Sequence, residues 1–449
     1  MTFWANIIKR FRAPALPLPT TEYNRSYFDE LLKVLRLYFN QLDTLLEQIV
    51  NAQPVNVQFY GTALDAFGRA RMSQPYTLFD SQNRYQKNDD FSEALTGSGT
   101  VTYVANESTV ELNTTTASGD KVIRQTKRSF SYQPGKSLLT LNTFVMSEAQ
   151  AELRMRVGYF NDQNGVFFER SGSTLYIVRR TYVSGLAVDT PVAQTDWNGD
   201  KLDGTGDSGF TVDVTKSQIF WQDFEWLGVG SVRCGFVING QVIICHTFQN
   251  ANNLTSVYMT TAILPVRYEV ENLGVLGSSA KLKQICSSVI SEGGYEKRVN
   301  LNVARMAAAN SSISTSFVPL VSIRLASGRS GAVVLPDGYS VLGSGTNAEF
   351  EIVLVKNPTL TGASFVASDS ANVDYDVSAT SYTGGIIIRN TYTSSGAQIS
   401  GSVDSPENYN WDLQIGSTIA GTSDIYTLAV RTLSGTHTAI GSLSFWDLT

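Results

Sequence analysis

Two acidic side chains stand close together in Trp221-Gln222-Asp223-Phe224-Glu225-Trp226. In an extended strand, residues i and i+2 share a face, so Asp223 and Glu225 project from the same side of the chain. Paired carboxyl groups are what glycosidic bond cleavage requires: one attacks or activates water while the other donates a proton. The same pair on a wet sheet face does no chemistry. Little else in the chain supports catalysis, because it holds only two histidines, His246 and His437. Cys245 and His246 are neighbours in an expected strand, so thiol and imidazole point to opposite faces. No group of Cys and His has the spacing of a zinc site. The reading is therefore of a chain with no catalytic residue, no metal ligand set and no cofactor, and not of an enzyme.

The segment Asp196–Gly209, DWNGDKLDGTGDSG, gathers Asp196, Asn198, Asp200, Asp203 and Asp207. Its opening D-x-N-x-D resembles a calcium loop. The sixth position is Lys201 where glycine is needed for the sharp turn, and the twelfth is Asp207 where a bidentate glutamate is usual. An Asp/Gly turn is the expected state, since these residues favour turns for backbone reasons alone. Any ion held there would be Ca²⁺, bound by oxygens. The WQDFEW strand also faintly resembles the E-x-D-x-x-E strand of lectin-like jelly-roll glycosidases, but Trp221 stands where the first glutamate belongs and the last glutamate is displaced. The glycine doublets and the GSGT tetrapeptides precede no helix, so phosphate binding has no support.

Asn239-Gly240 is a strong two-residue hairpin signal. With these residues as the loop, Ile238 faces Gln241, and counting back places Cys234 opposite Cys245. Directly opposed residues lie within disulfide reach. The three cysteines, Cys234, Cys245 and Cys286, are too few for a disulfide scaffold. The expectation is two packed thiols in a protein made and folded in a reducing cytoplasm.

The element that most plainly organises the chain is a helix. Phe28, Leu31, Leu35, Tyr38, Leu42, Leu45 and Ile49 recur at alternating steps of three and four, an unbroken a/d seam. Leu32, Phe39 and Leu46 widen the stripe. Aromatics in the seam and apolar flanks suit a wide core, so we expect residues 26–52 to associate identical chains, as three rather than two. Before it lies a short amphipathic segment with Trp4, Ile7, Ile8 and Phe11 on one face, read as an anchor peptide. The PALPLP run then makes residues 1–25 an anchor followed by an extended spacer.

Nearly everything beyond the helix alternates as strands do. Leu153, Met155, Val157 and Tyr159 alternate with Arg154, Arg156 and Gly158. Ser, Thr, Asn and Gly fill polar positions, and charged residues are only 16% against 42% apolar. At 449 residues the chain is too long for one core. The expected fold is mainly β: an N-terminal coiled-coil helix, a connector over 53–90, an antiparallel β-sandwich or jelly-roll-like domain over 91–294, a linker or short helix over 295–316, and a second such domain over 317–449. A net charge of −6 argues against a nucleic-acid partner. No apolar run approaches the roughly 20 residues that span a bilayer, and the start has no continuous apolar stretch of a secretory signal.

LPLPTTEYNRSYFDELLKVLRLYFNQLD (16–43) resembles the N-terminal segment of structural proteins of tailed bacteriophages, especially marine and cyanobacterial ones. DAFGRARMSQPYTLFDSQNRY (65–85), TASGDKVIRQTKRSFSYQPGKS (116–137) and DFEWLGVGSVRCGFVINGQVIICHTF (223–248) are similar to stretches of phage virion proteins. The resemblance implies a virion protein assembled in the host cytoplasm, acting as a non-catalytic fibre, capsid decoration or tail appendage. Its implied partners are copies of itself, as a homotrimer, and other virion proteins of the capsid, portal or tail. A host-glycan-binding or glycan-cleaving spike is the alternative. The resemblance implies no catalytic residues.

Overall fold

The computed structural model describes residues 25–50, 74–296, 301–395, 398–402 and 411–449. The chain divides into a unit spanning Met1–Met72 and a second spanning Ser73–Thr449. The anchor residues Trp4, Ile7, Ile8 and Phe11 lie outside the described residues.

In the first unit, helix α1 runs Arg25–Val50. Along the seam, Leu31, Leu35, Tyr38 and Leu42 are half-buried. Phe28 is 44% exposed, and the flanking Leu32 and Phe39 are 57% and 59% exposed. The side chains of Leu45 and Ile49 lie outside the described set. Among the described residues, no helix is long and apolar enough to cross a membrane.

The second unit is mainly β, with antiparallel sheets in a sandwich-like arrangement. Its first sandwich is built from β1 (Tyr76–Ser81), β2 (Phe91–Thr96), β3 (Thr100–Val104), β4 (Thr109–Thr114), β5 (Lys121–Thr126), β6 (Leu138–Met146), β7 (Leu153–Phe160), β8 (Gly165–Ser171), β9 (Thr174–Thr181), β10 (Val188–Ala193), β11 (Gln218–Phe224), β12 (Val232–Ile238), β13 (Gln241–Phe248), β14 (Val266–Asn272) and β15 (Ala280–Ser291). One sheet runs β13-β12-β11-β6-β15-β4-β3, with β1 also paired to β15. The other runs β10-β9-β8-β7-β14-β5-β2. Alternation decides which side chains face inward. Leu138, Thr140, Asn142, Phe144 and Met146 of β6 are buried, while the residues between them are half-buried. At the centre Phe168 packs against Phe144, Phe220 and Phe236, with ring centroids 5.2–5.8 Å apart.

In the second sandwich, one sheet orders Leu301–Arg305, His437–Asp447, Val334–Ser344 and Gln398–Ser402, with Asn310–Ile313 also on His437–Asp447. The facing sheet orders Val366–Ala367, Val373–Asp376, Val318–Leu325, Ile425–Thr432, Glu349–Lys356 and Ile386–Ser394. Leu320, Ile323, Phe350, Ile352, Leu428 and Phe445 fill its core.

Three sequence expectations change here. The segment read as a linker or short helix, 295–316, contains the strands Leu301–Arg305 and Asn310–Ile313; both pair with His437–Asp447, so tertiary pairing overrides its helix-compatible alanines. The expected connector contains β1, whose Tyr76 pairs with Ser291. In the β12–β13 hairpin, Ile238 does face Gln241, but a bulge between Cys234 and Gly235 sets Cys234 opposite His246 instead of Cys245. All three cysteines are free thiols.

The two sandwiches meet through specific contacts. Trp411 lies edge-on to Tyr295, centroids 4.8 Å apart, and its Nε1 donates to Tyr76 Oη at 3.2 Å. Gln414 Nε2 donates to the Ser129 carbonyl at 2.8 Å, and Arg128 Nη1 donates to the Trp411 carbonyl.

Candidate functional site

Strand β11 sends Phe220, Gln222 and Phe224 into the core, so Trp221 and Asp223 stand on the outer face. Asp223 pairs across the ladder with Arg233 of β12. Arg233 Nε donates to Asp223 Oδ2 at 2.8 Å, and Nη2 donates to the same oxygen. The guanidinium carbon also lies 5.5 Å from the Trp221 ring centroid. Asp223 is only 5% exposed although it sits on an outer face, and its Oδ1 is buried without a hydrogen-bond partner. Burial pushes the Asp223 carboxyl above the usual carboxylate range, with Arg233 pulling the other way.

Glu225 lies just past the end of β11. Its Oε2 accepts from Ser231 N at 3.2 Å and from Ser231 Oγ at 3.1 Å, closing the turn that leads into β12. Tyr132 steadies the same turn by accepting from Trp226 N at 3.1 Å, and burial raises its phenol. The sequence reading placed the two carboxylates on one side of a strand. In the structure both line one cleft, with Asp223 on the strand and Glu225 in the turn.

That cleft has a volume of about 480 Å³ and is walled by Tyr132, Lys136, Asp223, Glu225 and Arg233. A second cleft of about 510 Å³ adjoins it, sharing Gly135, Lys136 and Ser137 and reaching Glu292 and Gly293. The shared wall is the loop before β6. Lys136 Nζ donates to Gln133 Oε1 at 3.1 Å and lies 3.6 Å from Glu296 Oε1. Ser137 Oγ donates to Glu292 Oε2 at 2.7 Å. Gly293 makes room for the lysine stem: a Cβ there would lie 2.5 Å from Lys136 Cγ.

Sequence reasoning found Asp223 and Glu225 but missed Arg233, Lys136 and Tyr132. Arg233 was within reach, since the Asn239-Gly240 turn fixes β12. Its partner depends on β11 lying beside β12, which no local pattern states. Lys136 arrives from a loop distant in sequence and had no signal.

The other sequence candidates make local contacts. In the 196–209 loop, Asp200 Oδ1 accepts from Leu202 N at 2.8 Å and Oδ2 from Ser208 N at 2.7 Å. Burial pushes the Asp200 carboxyl up, but these amides outweigh it and hold it below the usual range. Asp203 Oδ1 accepts from Thr205 N and Oγ1 at 2.9 and 2.6 Å. These are Asx-type turns. Among the described residues, no three His, Cys, Asp or Glu side chains cluster as a metal would need. The loop covers the edge of β13: Gly199 N and Asp200 N donate to the Cys245 and Ile244 carbonyls at 2.8 and 3.0 Å. His246 Nδ1 accepts from Asn198 N at 3.4 Å, and its ring meets Phe248. Burial raises the Cys245 thiol to about 12, so it is no nucleophile at neutral pH.

The outer face of the seven-stranded sheet carries a paired ionic layer. Arg156 Nε reaches Glu169 at 2.6 Å and its Nη1 reaches Glu269 at 3.2 Å. Glu269 also takes Arg267 at 2.6 Å and Lys121 at 3.1 Å. Arg180 grips Asp189 at 2.7 Å. Phe160 and Phe167 are buried beneath these guanidinium groups. The carboxylates of this layer are engaged by cations.

No family model and no curated protein sequence matches this chain. Solved structures share part of the architecture. Endo-beta-1,4-glucuronan lyase from the fungus Trichoderma reesei aligns over 49% of this chain and 96% of its own, at 12% identity and a TM-score of 0.32. A beta-1,3-glucanase from Mycobacterium marinum aligns over 48% and 98%, at 10% identity and 0.33. The carbohydrate recognition domain of Emp47p aligns over 53% and 100%, at 11% identity and 0.30. Likeness at this level transfers no residue role, substrate or activity to this chain.

Proposed function

We propose that this chain is a non-catalytic carbohydrate-binding protein, presented in several copies on a particle surface. The observation that carries the binding role is Asp223. One carboxylate oxygen is held by Arg233, and the other is buried in the cleft wall with no donor. An unpaired buried acceptor is unfavourable unless a donor arrives. The Arg233 side chain is 49% exposed, so a ligand that draws the guanidinium outward uncovers the acceptor and keeps the donor beside it. A carboxylate next to a guanidinium matches adjacent sugar hydroxyls, one donating and one accepting.

The partners of the two carboxylates support binding without cleavage. Asp223 is tied to Arg233, and Glu225 is occupied in closing its own turn. The presentation role draws on α1 and on the resemblance of residues 16–43 to phage virion segments. In that setting the chain is a trimeric fibre, decoration or tail-appendage subunit that joins the virion through its N-terminus. Weak sites on three joined copies bind a repetitive surface far more strongly than one.

A glycan array probed with the full chain and with Asp223→Asn tests the reading. Binding that weakens about tenfold or more in the variant is expected, the loss of a charge-assisted hydrogen bond. Equal binding by both proteins, or none by either, refutes it. Release of reducing ends by the wild type but not by Asp223→Asn would make the protein an enzyme.

A further inference from the structure

We infer that the ligand of this groove is an uncharged oligosaccharide spanning both clefts, rather than a single sugar or an acidic glycan. The inference rests on the carbohydrate-binding reading above and adds the length and charge of what is bound.

Length comes from the shape of the wall. The two clefts, about 480 and 510 Å³, adjoin one another, with Gly135, Lys136 and Ser137 bordering both. Each alone falls within the size that holds a small molecule. A ligand that fills only one leaves the other wetted, whereas a chain passing the 135–137 loop buries surface in both. Gly293 sustains this continuity. Its missing side chain lets the Lys136 stem lie flat, where a Cβ would force it away.

Charge comes from the lining. The first cleft sets Lys136 and Arg233 against Asp223 and Glu225, and the second adds Glu292. These groups already have partners: Arg233 with Asp223, Lys136 with Glu296, Ser231 with Glu225 and Ser137 with Glu292. A uronate would approach more carboxylates than cations and find no uncommitted guanidinium. An amino sugar would find Asp223, Glu225 and Glu292 already engaged by Arg233, Ser231 and Ser137. Hydroxyl groups both donate and accept, so an uncharged ring hydrogen-bonds Asp223 and Arg233 as the guanidinium moves outward and leaves neither charge without a partner.

The test is calorimetry on the full chain with gluco- and manno-oligosaccharides of increasing length, oligogalacturonates of matched length, and chitosan oligomers. Affinity for a neutral series is expected to rise about tenfold or more from one ring to four, then level off once both clefts are filled. Gly293→Ala, with folding checked by its thermal transition, is expected to remove most of that rise, and a rise equal to wild type's counts against the two-cleft inference. Affinity independent of length overturns the two-cleft inference while leaving carbohydrate binding intact. Preference for the acidic or amino series overturns the charge assignment in the same way. Absence of binding to every series removes the carbohydrate reading itself, and this inference with it.

Discussion

Asp223 is engaged on one oxygen and without a donor on the other, and two consequences can be measured. Burial raises its titration in the folded protein above the unfolded value. The sign is therefore opposite to that of a typical ion-paired carboxylate: ionisation opposes folding, and the penalty is relieved as pH falls through the raised titration. Asp223→Asn is accordingly expected to fold with stability within about 1 kcal/mol of wild type in urea titrations, while losing glycan affinity. Wild-type affinity is expected to fall on acidification, at a pH above that at which a free aspartate protonates, and Asp223→Asn to show no such fall. A backbone prediction belongs to the same scale. Asn239 and Gly240 have φ of +52° and +77°, as a type I′ turn requires. Gly240→Ala is expected to destabilise by about 1 kcal/mol in the same titration, because alanine resists that conformation.

At the scale of elements, an ionic layer covers β7, β8, β9 and β14, the strands that carry Arg156, Glu169, Arg180 and Glu269. Glu269 is 1% exposed. Burial alone would raise its carboxyl, but Arg267, Lys121 and Arg156 hold it down at about 2. Its folded value lies below its ordinary 4.5, so its contribution is complete above that pH and is lost as pH falls toward about 2. Glu269→Gln leaves three cations facing an uncharged group. It is expected to cost about 3–5 kcal/mol by chemical denaturation at neutral pH and to flatten the acid limb of the stability curve. The hairpin of β12 and β13 shows a different element-scale effect. Its turn sets the register correctly from Ile238 to Gly235, and then the bulge intervenes. Gly235 allows the close backbone approach, since a Cβ there would collide with the Ile243 carbonyl.

For the whole molecule, the helix and the sandwiches make separable predictions. If α1 joins copies, Leu35→Asp with Leu42→Asp should yield monomers in analytical ultracentrifugation and leave β-sheet circular dichroism intact. Retained trimers would remove the helix from that role. Between the sandwiches, Trp411 packs edge-on against Tyr295 and donates to Tyr76, while Gln414 and Arg128 bind backbone across the junction. Such contacts couple the two cores. Trp411→Ala is expected to split a single calorimetric unfolding transition into two, with a loss of about 3–5 kcal/mol in the combined stability.

Local pattern was enough to determine the mainly β character, the amphipathic helix and the Asn239-Gly240 turn. Each depends on side-chain periodicity or on the φ preference of one or two residues, and these are properties of short segments. Tertiary structure alone decided the rest. The strands at Leu301–Arg305 and Asn310–Ile313 exist because His437–Asp447 lies beside them. Cys245 moved out of register at a bulge whose flanking carbonyls the Asn198–Asp200 loop engages. The cleft formed where the loop before β6, the end of β15 and the β11–β12 pair converge, which set Lys136 and Arg233 in one lining with Asp223 and Glu225. Contacts between residues far apart in the chain follow from which strands neighbour one another, and no window of adjacent residues contains that information.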